Sequence, residues 1–300
     1  MKKALLVVSV ALALSACSSP RGENQALEKW QNYGKPTIST SELAENQTLA
    51  VFYRKDDIAS SEAVDVFING DYQASLVPNS VTSIAVCAAK QLFTGSFNKQ
   101  NTFGNRVKGA THILPVNEIA YIRVSLARDG NFMFTRVEEQ QAKQEMINFP
   151  QAAQTISRVS ESKCGTPVLS NFELSANALF PLNGSSYNSI LPYGKDKIND
   201  LAQHLKTLPQ EKISDVQIQV SGYTDSFGSE QYNLKLSQKR ADTVKEALVR
   251  AGVTLPMTAV GYGEKDLAIS NCSTLHKTKK AIIECNAPNR RVDVTVYGKK

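Results

Sequence analysis

The sequence predicts an α+β chain, in which an antiparallel β-rich part is followed by a part where strands and helices alternate. Between about residues 48 and 138, turn residues separate short runs of alternating apolar and polar residues, which are typical of β-strands. Beyond about residue 168, runs with the spacing of amphipathic helices lie between further alternating runs. A length of 300 residues and an apolar content of 42% are sufficient for two globular domains.

The first 16 residues have the pattern of a secretory signal peptide. Two lysines precede an apolar run over residues 4–14, which is too short to remain in a membrane as a spanning helix. The LSAC sequence that ends at Cys17 resembles a bacterial lipobox, which implies that cleavage of residues 1–16 leaves Cys17 as a lipidated first residue. Ser18, where some lipoproteins have aspartate, implies sorting to the outer membrane by the same resemblance. The alternative is an ordinary signal peptide that happens to contain a cysteine.

The residue pattern over 47–149 predicts a small antiparallel β-domain, and the sequence does not specify its function. Asn69–Asp71 separates two alternating runs, and Arg128–Asn131 separates two more; both are hairpin signals. Further strand-like runs cover residues 49–53 and 82–87. A small antiparallel sandwich is the simplest fold for these short strands.

Polar segments border this β-domain on both sides. Residues 17–46 are predicted to form the lipidated N-terminus and a tether. A polar stretch with helical character covers about residues 137–148, and residues 150–167 form the predicted linker. The C-terminal domain then covers residues 168–300.

The sequence pattern of the C-terminal domain predicts the order strand, helix, strand, helix, strand, loop, strand. Apolar residues that alternate with polar ones mark two of the strands: Val216, Ile218 and Val220, and then Val292, Val294 and Val296. Apolar residues at helical spacing mark the two helices: Ile198, Leu201, Leu205 and Leu208 in the first, and Leu234, Ala241, Val244 and Leu248 in the second. The segment between about residues 264 and 288 is long and irregular, which suits the rim of a pocket.

Two charged residues flank the turn between a strand and the second helix. Asp225 follows the strand that Gly222 ends, and Arg240 lies beside the apolar face of a helix that Ser229 is expected to cap. The two side chains are therefore expected to converge. A ligand with an ammonium and a carboxylate on one carbon needs one acceptor and one bidentate donor, and arginine supplies the planar fork. The alternatives are that Asp225 only caps the helix and that Arg240 is solvated.

The same residues carry a resemblance to a known family. The pattern TDxxGxxxxNxxLSxxRAxxV is similar to the signature of the OmpA-like C-terminal domain family, which binds peptidoglycan. In this chain it is formed by Thr224, Asp225, Gly228, Asn233, Leu236, Ser237, Arg240, Ala241 and Val244. PNRRVDVTV, over residues 288–296, matches the closing strand of the family, and LFPLN, over residues 179–183, lies where its opening strand and loop would be. The resemblance implies a βαβαβ(loop)β mixed sheet with helices packed on one face.

The resemblance also implies roles for individual residues. Asp225 accepts the ammonium of diaminopimelate in the stem peptide, and Arg240 binds its carboxylate. Asn233 and Arg290 match further ligand-contacting positions, although Asn233 could equally be a polar residue of the first helical turn. Asn183 is a weaker candidate, because LFPLNG departs from the acidic FDFD-like form common at this position.

The five cysteines favour an oxidising compartment. Some members of the family carry a disulfide in the loop before the last strand, and the resemblance therefore implies a bridge between Cys272 and Cys285. Cys87 and Cys164 remain as a second candidate pair, and the sequence leaves open whether they form a disulfide or stay reduced.

The interpretation that follows is a non-enzymatic tether: a lipoprotein of the outer membrane that binds the cell wall from the periplasmic side. No nucleophile with a histidine base stands in a motif, no cofactor is implied, and the three scattered histidines give no metal site. A net charge of +6 without a basic stripe does not indicate nucleic acid. The alternative is a wall-anchored component of an envelope machine for motility or secretion, whose β-domain binds a protein partner.

Overall fold

The structure is a computed structural model that describes residues 38–98, 109–149, 151–152, 163–181, 183–208 and 213–299. The predicted signal peptide, the predicted lipidation site Cys17 and most of the predicted tether lie outside these residues. Within the described ranges, no helix has both the length and the apolar character needed to cross a bilayer.

The N-terminal domain consists of two β-sheets. Its described strands are β1 (Gln47–Arg54), β2 (Val64–Ile68), β3 (Asp71–Leu76), β4 (Ser80–Cys87), β5 (Lys90–Phe97), β6 (Ala110–Ile113), β7 (Ile119–Leu126), β8 (Phe132–Val137) and β9 (Gln151–Ala152). One sheet has the order β8-β7-β1-β4-β9 and the other the order β3-β2-β5-β6. Both predicted hairpins are confirmed, as β2–β3 and β7–β8. Asn69 and Gly70 turn the first of them with φ angles of 52° and 90°, which a tight two-residue hairpin requires.

The two sheets pack face to face, as the predicted sandwich requires. Phe52 of one sheet and Phe93 of the other meet edge to face, with their ring centroids 4.9 Å apart. The pairing of β1 with β7 is parallel, which the sequence did not indicate. A parallel pair needs a long crossover, and here the strands of the second sheet lie within that crossover.

The outer face of the five-stranded sheet is covered by a short helix, α1 (Glu139–Glu145), within the predicted helical stretch. The hydroxyl of Tyr53 donates to Glu145 Oε2 at 2.8 Å and fastens this helix to β1. Ile38 and Leu43, which the sequence assigned to the tether, pack against the same face. The last part of the predicted tether is therefore packed on the β-domain.

The C-terminal domain has the predicted order of strands and helices. Its elements are β10 (Val168–Ser175), α2 (Ala176–Leu179), α3 (Pro192–Thr207), β11 (Ser214–Gly222), α4 (Glu230–Arg250), β12 (Met257–Gly261), α5 (Cys272–Leu275), α6 (Lys279–Cys285) and β13 (Arg291–Lys299). The sheet order is β10-β13-β11-β12, with only β11 and β12 parallel. Helices α3 and α4 share one apolar core with the sheet, which confirms the mixed sheet with helices on one face.

One predicted core position is wrong. Leu234 is 46% exposed, whereas the first half of α4 buries the polar residues Asn233, Ser237 and Arg240. The helix approaches the strand ends very closely there: a Cβ at Gly222 would lie 2.1 Å from the carbonyl oxygen of Ser237. No large apolar side chain fits into so narrow a gap, and polar side chains that hydrogen-bond to the loops take its place.

The disulfide between Cys272 and Cys285 is confirmed, and the candidate pair Cys87 and Cys164 is also bonded. Cys87 at the end of β4 is bonded to Cys164, and this bond ties the β-domain to the segment just before β10. Cys272 and Cys285 are bonded to each other across α5 and α6. The second bond closes the loop before β13, so the segment predicted to be irregular contains two short, cross-linked helices.

Candidate ligand-binding site

Asp225 lies just beyond the carboxyl end of β11 and is 8% exposed. Its Oδ1 accepts a hydrogen bond from the backbone N–H of Phe227 at 3.1 Å, and its Oδ2 accepts from Arg290 Nη1 at 2.5 Å. Asp225 does not cap α4, because Ser229 does so by accepting from the N–H of Tyr232 at 3.2 Å. The carboxylate is thus held in place by a turn and by a cation.

Arg290 is the ionic partner of Asp225. Its Nε donates to Asn177 Oδ1 at 3.1 Å and its Nη2 donates to the carbonyl of Ile283 at 3.2 Å, so each of its three nitrogen atoms has a partner. Sequence reasoning gave Arg290 a direct ligand contact. The structure pairs Arg290 with the Asp225 carboxylate at the site, and its contact with a ligand stays a prediction.

Arg240 is the second cation of the site and is 4% exposed. Its Nε donates to the carbonyl of Gly184 at 3.0 Å, and its guanidinium carbon lies 5.7 Å from the ring centre of Phe180. Within the described part of the chain, Nη1 and Nη2 have no hydrogen-bonding partner, and neither belongs to the unpaired nitrogens that are sealed from solvent. Burial lowers the pKa of Arg240, and the Asp225 carboxylate opposes this shift. The alternative of a solvated Arg240 is therefore wrong.

Asn233 is 1% exposed and lies beneath Asp225. Its Nδ2 donates to the backbone carbonyl of Asp225 at 3.3 Å and to Glu264 Oε2 at 2.5 Å. The side chain therefore ties α4 to two loops. Both hydrogen bonds of Asn233 Nδ2 position the loops around the site, and its predicted contact with a ligand stays a prediction.

Glu264 was not predicted, because its contact with Asn233 spans 31 residues of sequence. The available signal was the preceding Gly263, which adopts a φ of 61° and donates its N–H to Ser237 Oγ at 2.8 Å. This turn directs the Glu264 carboxylate towards α4. The site therefore contains two carboxylates and two guanidinium groups.

Asn183 lies at the start of a loop whose backbone reaches α4, and its contact with a ligand stays a prediction. The side chain is exposed, and no hydrogen bond joins it to any described residue. Its φ of 59° is in the left-handed region that asparagine tolerates. The following residues deliver two carbonyls to α4: Gly184 to Arg240, and Ser185 to Thr243 Oγ1 at 2.6 Å.

Two clefts lie away from this site, with volumes of about 780 and 490 Å³. The first is polar and contains an existing ion pair between Arg136 and Glu118. The second runs along β11 and β12. Neither is lined by Asp225 or Arg240, and a broad, open cleft is a weaker indication of binding than a buried cation with free donors. Among the described residues, no cluster of three His, Cys, Asp or Glu side chains is arranged to hold a metal ion.

Comparison with known proteins supports the assignment of the C-terminal domain. Residues 185–298 match the OmpA family. Outer membrane protein A of Klebsiella aerogenes is 38% identical over 130 residues, which cover 43% of this chain and 35% of that protein. Outer membrane protein P5 of Haemophilus influenzae is 36% identical over 121 residues, which cover 38% of this chain and 34% of that protein.

The chain thus spans about a third of the length of these two relatives. A crystal structure of the peptidoglycan-associated lipoprotein from Burkholderia pseudomallei aligns with 30% identity and a TM-score of 0.31, covering 40% of this chain and 87% of that one. The sequence match, together with the Asp225 and Arg240 motif and the observed sheet order, identifies the C-terminal domain of this chain as a domain of the OmpA family.

Proposed function

We propose that the protein is an outer-membrane lipoprotein that binds peptidoglycan without covalent chemistry and so tethers the outer membrane to the cell wall. The ligand is the diaminopimelate residue of the stem peptide. The lipid is attached to Cys17, and the pocket on Asp225 and Arg240 faces the periplasm.

The arrangement of Arg240 carries this proposal. A guanidinium at 4% exposure normally has partners for its hydrogen-bond donors, because an unpaired buried charge is unfavourable. Only Nε of Arg240 donates a hydrogen bond to the protein. Its two terminal nitrogens remain for a carboxylate, which arginine prefers to bind in a bidentate geometry. Such a group is built to receive an anion.

Asp225 supplies the complementary acceptor. Each of its oxygen atoms accepts one hydrogen bond from the protein, and an ionised carboxylate offers about four acceptor positions. An ammonium can therefore be added without displacing Arg290. The distal carbon of diaminopimelate carries both an ammonium and a carboxylate, whereas lysine at that position lacks the carboxylate.

The two ends of the protein then act together. A lipid holds the pocket close to the wall, so each binding event occurs at a high effective concentration. Many such molecules give firm attachment even when each pocket binds weakly. The function requires no chemical step.

The first experiment compares binding of the soluble chain, from Ser18 onward, to purified peptidoglycan by sedimentation. Arg240→Lys keeps the charge and loses the planar fork, and we expect binding to fall by about tenfold or more. Asp225→Asn keeps the shape and loses the charge, and we expect a similar loss. Arg250→Ala is the matched control, since Arg250 is an exposed arginine on the same helix that pairs with Glu246.

Peptidoglycan that contains lysine in place of diaminopimelate serves as the second arm. We expect the natural chain to sediment with the diaminopimelate wall and only weakly with the lysine wall. Equal binding to both walls would contradict the assigned ligand. Retained binding in folded Arg240→Lys and Asp225→Asn variants would show that the wall is bound elsewhere.

The lipid anchor is tested separately in cells. Labelled palmitate is expected to enter the natural chain and not a Cys17→Ser variant, and the variant is expected to leave the outer-membrane fraction. Labelling that persists in the variant would refute the assignment of Cys17.

A further inference from the structure

Exposed apolar side chains gather around the Asp225 site. In the part of the chain that the structure describes, eight large hydrophobic side chains are exposed by 41% or more. Three of them, Phe227, Tyr232 and Ile283, belong to segments that hydrogen-bond to or pack beside the charged groups of the site. Exposed apolar side chains usually occur singly on a protein surface. Three of them close to the charged groups of the site therefore indicate a binding surface.

Two of the three residues, Phe227 and Ile283, are placed by a backbone hydrogen bond to a charged group of the site. Phe227 donates its N–H to Asp225 Oδ1 at 3.1 Å, so its Cα is fixed beside the carboxylate. The backbone carbonyl of Ile283 accepts a hydrogen bond from Arg290 Nη2 at 3.2 Å. Both segments are held by charged groups, and their apolar side chains are nevertheless left in solvent.

Tyr232 stands on the first turn of α4, where Ser229 fixes its backbone. Gly228 gives its ring room: a Cβ there would lie 3.3 Å from Tyr232 Cδ1, at a φ of 105° that favours glycine. Tyr232 is 46% exposed, near the start of the helix that carries Arg240.

We propose that Phe227, Tyr232 and Ile283 form a platform for the sugar rings of the glycan strand that carries the bound stem peptide. This inference rests on the proposed function. Asp225 and Arg240 take up the charged end of the ligand, and the exposed apolar side chains beside them favour a group with an apolar face. The N-acetylated sugars of the wall fit, because the C–H face of a sugar ring packs on an aromatic ring while its hydroxyl groups remain hydrated.

The platform predicts that the protein distinguishes a stem peptide with its sugars from the same peptide alone. Calorimetric titration of the chain from Ser18 onward uses two soluble ligands: the free peptide that contains diaminopimelate, and the same peptide attached to its disaccharide. We expect the natural chain to bind the disaccharide-peptide about tenfold more tightly. Phe227→Ala and Tyr232→Ala are expected to remove most of this preference and to leave binding of the free peptide within about twofold.

Two further variants separate a direct contact from a general disturbance. Tyr232→Phe keeps the ring and is expected to keep the preference. Val249→Ala removes an apolar side chain of 53% exposure on the same helix, 17 positions and about 25 Å further along, and is expected to change nothing.

The outcomes are distinct. The platform is refuted if the natural chain binds both ligands equally, or if the preference survives in both alanine variants. Either result leaves the proposed binding by Asp225 and Arg240 unaffected. If the natural chain binds neither ligand, the proposed function fails, and the platform fails with it.

Discussion

The ammonium of Lys90, on β5 of the N-terminal domain, is paired with the carboxylate of Asp266, in the loop between β12 and α5 of the C-terminal domain. The same ammonium lies 4.8 Å from the ring centre of Tyr262 and 5.7 Å from that of Tyr223, which stack on one another. Thr111 adds a hydrogen bond of 3.1 Å to the other oxygen of Asp266. Asp266 is two residues from Glu264, so the β-domain supports the loop that holds Asn233.

Loss of this contact is expected to weaken docking of the domains. Lys90→Ala removes a partly exposed ion pair and a cation–π contact, together worth about 1 kcal/mol of stability. Urea unfolding and limited proteolysis measure the loss. Lys299→Ala is the control: it removes a far more exposed pair with Asp215 and is expected to have no measurable effect. A Lys90→Ala variant as stable as this control would contradict the prediction.

Asp293 gives the stability a specific dependence on pH. It is 3% exposed, and burial raises its pKa to about 6, against the opposing effect of Arg291, whose Nε lies 3.3 Å away. A carboxyl whose pKa is higher in the folded state favours folding below its unfolded value of about 4, and this contribution is lost as the pH rises through 6.

The variant Asp293→Asn isolates this effect. The free energy of unfolding of the variant minus that of the natural chain is expected to increase by about 1–3 kcal/mol between pH 4 and pH 7. Denaturant unfolding at several pH values measures it. A difference that does not change with pH would show that the carboxyl titrates normally.

Gly222 is expected to tolerate no side chain. In Gly222→Ala the new Cβ would meet the carbonyl oxygen of Ser237 at 2.1 Å, and α4 would have to move away from β11. We expect a loss of about 2–3 kcal/mol, seen as a lower melting temperature, together with weaker peptidoglycan binding. Gly165→Ala is the control, because nothing lies within 4 Å of its Cβ position and its φ is not in the left-handed region. Equal melting temperatures for the two variants would overturn the argument.

The Cys272–Cys285 bond is expected to matter for binding as well as stability. It closes the loop that carries Ile283, whose carbonyl orients Arg290. Replacing both cysteines by serine is expected to cost about 3 kcal/mol if the loop stays native-like, and to reduce affinity for peptidoglycan. Calorimetry and sedimentation measure the two effects. If affinity is unchanged while stability falls, the loop does not support the site.

Local patterns were sufficient to predict most of the C-terminal domain. The alternation at Val216–Val220 and the helical spacing that includes Ala241 and Val244 follow directly from burial against one face. Asp225 and Arg240 were found because both lie within one short motif. Leu234 was placed wrongly because periodicity cannot reveal where the backbones of α4 and β11 come too close for an apolar side chain.

Contacts distant in sequence could not be predicted in this way. The partner of Asp225 is Arg290, 65 residues away, and the parallel pairing of β1 with β7 depends on the strands between them. Each is decided by how whole elements pack, which no local window contains. The resemblance supplied Arg290 as a candidate, but only the packed loop shows what it holds.

The bond between Cys87 and Cys164 sets the path of mechanical load. If the wall pulls on the pocket while a lipid holds the N-terminal end, tension passes from β4 through the two sulfur atoms directly to β10. The 77-residue span that the bond bypasses lies outside this covalent path. Without the bond, that span would add about 270 Å to the length of a stretched chain. With it, that span adds nothing to the covalent length between membrane and wall, and the connection between them remains short.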